Sequence, residues 1–188
     1  MTKYYLYETS GSFDEKAFRS ALSSLGSPYD LTVLSPTKGF IIADENFLMG
    51  LGNLVLPLHD DLRVVITFLC AHANGPLEEK ALKQAVAYFP NQALYLTDVL
   101  MKEFSFGDYS SLPLLSAEFK DVPHELLLTA GTFLRCGLNA SLAAENLIIH
   151  RNTFNYRLAR FIEKTGLDIR DYHNALLLEI YFQLGSHR

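Results

Sequence analysis

The sequence predicts an α+β protein in two parts: a small N-terminal α/β domain over residues 1–120 and an all-helical domain over residues 121–188. Three observations carry that reading. Short β-branched and aromatic runs alternate with helix-period segments through about the first 110 residues, the pattern of a small mixed domain. Asp121-Val122-Pro123 then interrupts the chain, because a residue before proline is pushed toward an extended conformation ahead of a new helix. Beyond it only helical periodicity remains.

In chain order, Tyr4–Glu8 is rich in aromatics and predicts a short strand, followed by Gly11 and Ser12 as turn and cap. Phe13, Ala17, Ala21, Leu22 and Leu25 mark one face of a helix closed by Gly26. Leu31–Leu34 and Phe40–Ala43 lie on either side of Ser35-Pro36-Thr37-Lys38-Gly39 and predict two strands joined by a turn. Phe47–Leu58 is the most apolar run, yet it is short and interrupted by Gly50, Gly52, Asn53 and Pro57. It predicts a buried segment rather than a bilayer span. Leu62–Leu69 is almost continuously apolar, which predicts a strand in the middle of a sheet with both faces covered. Pro76 opens the next helix, where its missing N–H costs little, with Glu78 and Glu79 near the positive end of the helix dipole. Leu82, Ala85, Val86 and Phe89 form its buried side and Pro90 stops it. Tyr95–Phe106 predicts another helix and Gly107–Ser111 a loop.

In the C-terminal part, His124–Cys136 predicts a helix whose core residues are Leu127, Leu128, Phe133 and Leu134. Gly137 ends it, and Asn139 or Ser141 caps the next. After Gly166, Asp171 caps a final helix, Tyr172–Leu184. Leu176, Leu177, Leu178, Ile180, Tyr181 and Leu184 take up most of its circumference. Such a helix must be covered on more than one side, by the bundle or by a second subunit.

Composition narrows the function classes. With 188 residues, 49% hydrophobic and 20% charged, the chain is an ordinary globular protein rather than a disordered one. Met1–Tyr5 lacks the apolar stretch and cleavage site of a signal peptide, so the expectation is a cytoplasmic protein with no membrane partner. Cys70 and Cys136 sit apart in apolar contexts and predict two buried thiols. His59, Asp60, Asp61 and His72 bracket the central strand but lack metal-ligand spacing. No phosphate loop or nucleophile elbow is present. The expectation is no enzyme, no cofactor and no metal.

The stretch Ala143–Ile162 reads as a short helix, a tight turn and a second helix. Phe154, Leu158, Phe161 and Ile162 recur at helical spacing and form an apolar stripe. Asn152, Thr153, Tyr156 and Arg160 fall on the other side, where side chains suited to hydrogen-bonding bases and phosphates replace the usual Glu and Lys. Charge supports this locally. The formal net charge is −5, but residues 1–123 carry nine Lys and Arg against fifteen Asp and Glu, whereas residues 124–188 carry seven against six. Within Arg151–Lys164 the ratio is four to one, a basic element in an acidic protein.

The run Ile149-His150-Arg151-Asn152-Thr153-Phe154-Asn155-Tyr156-Arg157-Leu158, followed by Thr165-Gly166-Leu167-Asp168, closely resembles the C-terminal helix-turn-helix of the PucR family of transcriptional regulators. The similarity extends from about Glu125 to Leu184, roughly a third of the chain. One departure bears on the turn: the family usually has glycine ahead of the Ile-His-Arg-Asn run, and this chain has Ile148. In regulators of this type a degenerate GGDEF-like domain often precedes the helix-turn-helix. Phe106–Leu115 is loosely similar to its end, and no Gly-Gly-Asp-Glu-Phe signature occurs.

The resemblance implies a sequence-specific DNA-binding regulator that places Arg151–Lys164 in the major groove of double-stranded DNA. It also implies a homodimer and a small-molecule effector or partner read by the N-terminal domain. Asn152, Thr153 and Tyr156 lie where helix-turn-helix proteins place base contacts. Arg151 and Arg157 flank the apolar stripe, positioned to touch phosphates or to lie over the core. Arg160 is a candidate for backbone or guanine contact, His150 for capping or phosphate contact, and Ser141 for offering an N–H to phosphate. A rival reading, from a different class, makes the helix-turn-helix a dimerisation or docking module.

Overall fold

Tyr5 and Tyr7 alternate with Tyr4 and Leu6 in a strand whose two sides are both used. In a computed structural model that describes residues 2–185, the chain folds as two units, residues 1–108 and 109–188. The first contains strands β1 (Thr2–Thr9), β2 (Tyr29–Ser35), β3 (Lys38–Asp44), β4 (Ile66–Ala71) and β5 (Ala93–Tyr95). They form one sheet of order β2-β3-β1-β4-β5, antiparallel except for the β4–β5 pair. The architecture is therefore α+β, as the alternation of runs predicts.

Because successive side chains on a strand point to opposite faces, Tyr5 and Tyr7 share one side with Ile41, Phe68 and Cys70. There they join Phe18 and Leu22 of α1 (Glu15–Ser23) and Leu51, Val55 and Leu58 of α2 (Phe47–Leu62) in one apolar core. On the other side, α3 (Pro76–Tyr88) packs against β1 and β4. All six residues of β4 are consequently buried.

Two boundaries differ from the sequence reading. Phe47–Leu58 is part of a 16-residue helix with Pro57 inside it, so only one side of the run is buried and Met49 and Leu56 are exposed. That helix ends at Leu62, with Arg63 left-handed at φ 54°. Leu62 is thus a helix end, and the central strand starts at Ile66 rather than at Leu62.

Two details of the sheet depend on single residues. Tyr7 pairs across the ladder with Gly39 and its ring lies over the glycine. A Cβ on Gly39 would stand 2.3 Å from the Thr32 carbonyl oxygen and 2.5 Å from Tyr7 Oη. At the free edge, the pairing of β2 with β3 steps from Val33↔Gly39 to Ser35↔Lys38. Leu34 is the extra residue of this bulge, and its side chain is exposed.

The helices after β4 are capped as their sequences suggest. Gly75 donates its N–H to Glu78 Oε2 at 2.9 Å ahead of Pro76. Tyr95 donates to Asp98 Oδ2 at 2.9 Å ahead of α4 (Leu96–Ser105). His59 Nδ1 lies 2.9 Å from the Val64 carbonyl oxygen.

The second unit is helical: α5 (Leu112–Phe119), α6 (His124–Arg135), α7 (Ala140–Asn146), α8 (Arg151–Thr165), α9 (Tyr172–Ile180) and a closing π-helical turn, Tyr181–Gly185. Its core register differs from expectation in α6. Leu126, Ala130 and Phe133 are buried, whereas Leu127 and Leu134 are half-buried and Leu128 is exposed. The buried set follows 3–4 spacing from Leu126, and adjacent leucines 126–128 left the choice of stripe open. Leu177, Leu178 and Ile180 of α9 are buried, while Leu176 is half-buried and Leu184 exposed. Cys70 is buried, but Cys136 is only half-buried, with Asn146 Nδ2 3.1 Å from its sulfur, and no disulfide joins the two. No described helix is long and apolar enough to cross a membrane.

Candidate nucleic-acid interface

Three local features position α8. Asn139 caps α7, its Oδ1 accepting the N–H groups of Ser141 and Leu142, both at 3.1 Å. At the other end of α7, Ile148 N–H donates to Glu145 O at 2.9 Å and Ile149 N–H to Ala144 O at 3.1 Å. This pair of bonds closes a helix over one left-handed residue. The same pair ends α4 over Gly107 (φ 74°) and α6 over Gly137 (φ 61°), where the following Leu138 is left-handed as well (φ 62°). At the end of α7 the left-handed residue is Ile148, with φ 53° and a side chain 93% exposed. The replacement of glycine therefore leaves the hydrogen bonding of this turn intact.

The third feature is His150, the N-cap of α8, whose Nδ1 accepts the Asn152 N–H at 3.1 Å. Of its two candidate roles the structure gives it the cap, and that bond leaves the ring proton on the exposed Nε2. Gly166 ends α8 at φ 70°, donating to Ile162 O at 2.8 Å.

Between those caps α8 is two-sided. Phe154, Leu158 and Phe161 are buried, and the Phe154 ring centroid lies 5.5 Å from that of Phe133 on α6. Arg151, Asn152, Thr153, Tyr156 and Arg160 are exposed, Tyr156 at 66%. Among the described residues, the side chains of Arg151, Asn152, Thr153 and Tyr156 have no hydrogen-bond or ion-pair partner. Asn155, not singled out from the sequence, is exposed too. Its spacing of three from Asn152 on a helix is the signal that could have found it.

The remaining candidates are tied to the protein. Arg157 is half-buried, and its Nη2 lies 3.5 Å from Glu125 Oε2 on α6. Glu125 escaped the sequence reading because 32 positions separate the partners. Arg160 Nη1 lies 2.6 Å from Glu163 Oε2. The Ser141 N–H expected to meet phosphate already bonds Asn139, which leaves its hydroxyl as the exposed polar group. The segment thus brings an N-cap histidine, an unpaired arginine and a row of amide, hydroxyl and phenol groups to one end of one helix. That set can donate to and accept from base edges while charged neighbours meet phosphates.

Residues 126–184 match the family described as the PucR C-terminal helix-turn-helix domain. The proline-responsive transcriptional activator PutR of Bacillus subtilis (strain 168) is 34% identical over 91 residues, 48% of this chain and 22% of that one. The carbohydrate diacid regulator of Escherichia coli (strain K12) is 36% identical over 76 residues, 40% of this chain and 20% of that one. The chain thus spans only about a fifth of the length of these curated relatives. A crystal structure of a regulator of polyketide synthase expression from Bifidobacterium adolescentis is 22% identical, with TM-score 0.49, covering 98% of this chain and 81% of that one.

Proposed function

Since residues 126–184 form a helix-turn-helix domain of the PucR type, we propose that the chain is a sequence-specific DNA-binding transcriptional regulator acting inside the cell, not an enzyme. In this reading α8 enters the major groove of duplex DNA. Arg151 and Arg157 meet phosphates, with Arg157 exchanging Glu125 for the backbone. Asn152, Thr153 and Tyr156 read base edges. The single observation that supports this most is the outer side of α8, where Arg151, Asn152, Thr153 and Tyr156 are exposed and, among the described residues, have no side-chain hydrogen-bond or ion-pair partner. A solvated helix gains nothing from Asn, Thr and Tyr there, whereas groove recognition uses such groups.

Two subunits would place two such helices one duplex turn apart. The residues 1–120 would then serve as the regulatory or dimerisation domain, and residues 121–188 as the DNA-binding domain. A mobility shift of genomic fragments at two salt concentrations tests the reading. Retention should fall steeply with salt. Asn152→Ala should relax sequence preference, and Arg157→Ala should weaken binding to all fragments and lower the salt slope by about one. No retention at low salt would favour the docking-module alternative.

A further inference from the structure

We propose that Ile148 reads DNA directly, seating its side chain against the 5-methyl group of a thymine in the major groove; the proposal rests on the DNA-binding reading above. Ile148 stands two residues before the N-cap of α8. That is the end of the helix which helix-turn-helix proteins direct at base edges. Its conformation is left-handed, which a β-branched residue adopts only against steric resistance. Two other helices of this chain make the same termination with Gly137 and Gly107, so the turn itself has no need of a side chain.

Nor does the protein compensate for the strain. At 93% exposed, Ile148 is left almost wholly to solvent among the described residues. Backbone strain retained without a packing gain belongs to places where the gain is made with a ligand. The chemistry of the side chain narrows that ligand. A branched alkyl group offers nothing to a phosphate oxygen or to a base donor or acceptor, and the apolar feature exposed on the major groove is the thymine methyl. Asn152 and Thr153, four and five residues on, supply polar recognition beside it. Ile148 would add a methyl-dependent position to that code.

The test uses the full chain as wild type, Ile148→Gly and Ile148→Val. Each is used to enrich duplexes from a random-sequence pool. Affinity for the wild-type duplex is then measured by fluorescence anisotropy, with each thymine replaced in turn by deoxyuridine, which removes only the methyl group. One replacement should weaken wild-type binding about fourfold, the effect of losing one buried methyl group. Ile148→Val should keep that sensitivity. Ile148→Gly should lose it, bind the thymine duplex correspondingly more weakly and melt no lower than wild type. The same enriched motif and the same response to deoxyuridine in Ile148→Gly would overturn the proposal while leaving the DNA-binding reading standing. Failure of the wild type to enrich any sequence would remove the DNA-binding reading itself, and a subunit contact through Ile148 would then appear as a lower association state in Ile148→Gly.

Discussion

Replacing Ile148 by glycine should stabilise the C-terminal unit, and the amount can be worked from the turn. A left-handed backbone costs an L-residue about 1–2 kcal/mol. Glycine removes that penalty but widens the freedom of the unfolded chain, which returns about 0.4–1 kcal/mol. Burial contributes almost nothing to the balance, since the side chain is 93% exposed. The net gain is about 1 kcal/mol. For a unit the size of residues 109–188, that raises the melting temperature by about 4–8 °C. Scanning calorimetry of the full chain reads it directly. Gly137→Ala supplies the reverse experiment, because Gly137 makes the same termination at φ 61° and a Cβ there would meet nothing within 4 Å. Its cost of about 1 kcal/mol would be purely conformational. A melting temperature unchanged or lowered in Ile148→Gly, with the expected loss in Gly137→Ala, would refute the assignment of strain to Ile148.

Three further outcomes are expected. Gly39→Ala should destabilise the α/β unit by about 1–3 kcal/mol, because the new methyl group meets the Thr32 carbonyl oxygen and the Tyr7 ring; urea denaturation followed by circular dichroism measures it. Asn139→Ala should cost about 1 kcal/mol through loss of the α7 cap, seen as faster amide exchange at Ser141 and Leu142. Burial, with a smaller contribution from the Glu15 charge, pushes the Tyr7 phenol up to about 12. An unfolded tyrosine ionises near about 10, so the folded state holds this proton more tightly. Stability from this group is complete below pH about 10 and is lost as pH rises toward about 12. Tyrosinate absorbance should show Tyr7 ionising together with alkaline unfolding, and ionisation at the ordinary value in the folded protein would contradict its burial.

Much of this structure was legible residue by residue. Tyr4–Glu8, the Leu31–Ala43 strand pair and the Pro76 helix were readable because local composition and tertiary demand agree there. Gly137, Asn139, Gly166 and Asp171 carried the helix ends for the same reason. The helix at Phe47–Leu62 was hidden because Gly50, Gly52 and Pro57 argue locally against it, while packing of Leu51, Val55 and Leu58 on the sheet decides for it. The α6 register failed for a different reason: Leu126, Leu127 and Leu128 are chemically equivalent, and only the packing of α6 on α7, α8 and α9 selects Leu126, Ala130 and Phe133. In the candidate interface, the exposed polar row on α8 follows from periodicity alone. The Arg157–Glu125 pair and the bond between Ser141 N–H and Asn139 do not, since both depend on how neighbouring groups fold together.

The extra residue in β2 bears on how the protein behaves at high concentration. An outermost strand presents unpaired N–H and C=O groups that can recruit a foreign chain. Leu34 interrupts that row and bends it, so an incoming strand could match the border only on one side of the kink at a time. Deleting Leu34 would straighten the border and turn a self-limiting margin into a template for aggregation.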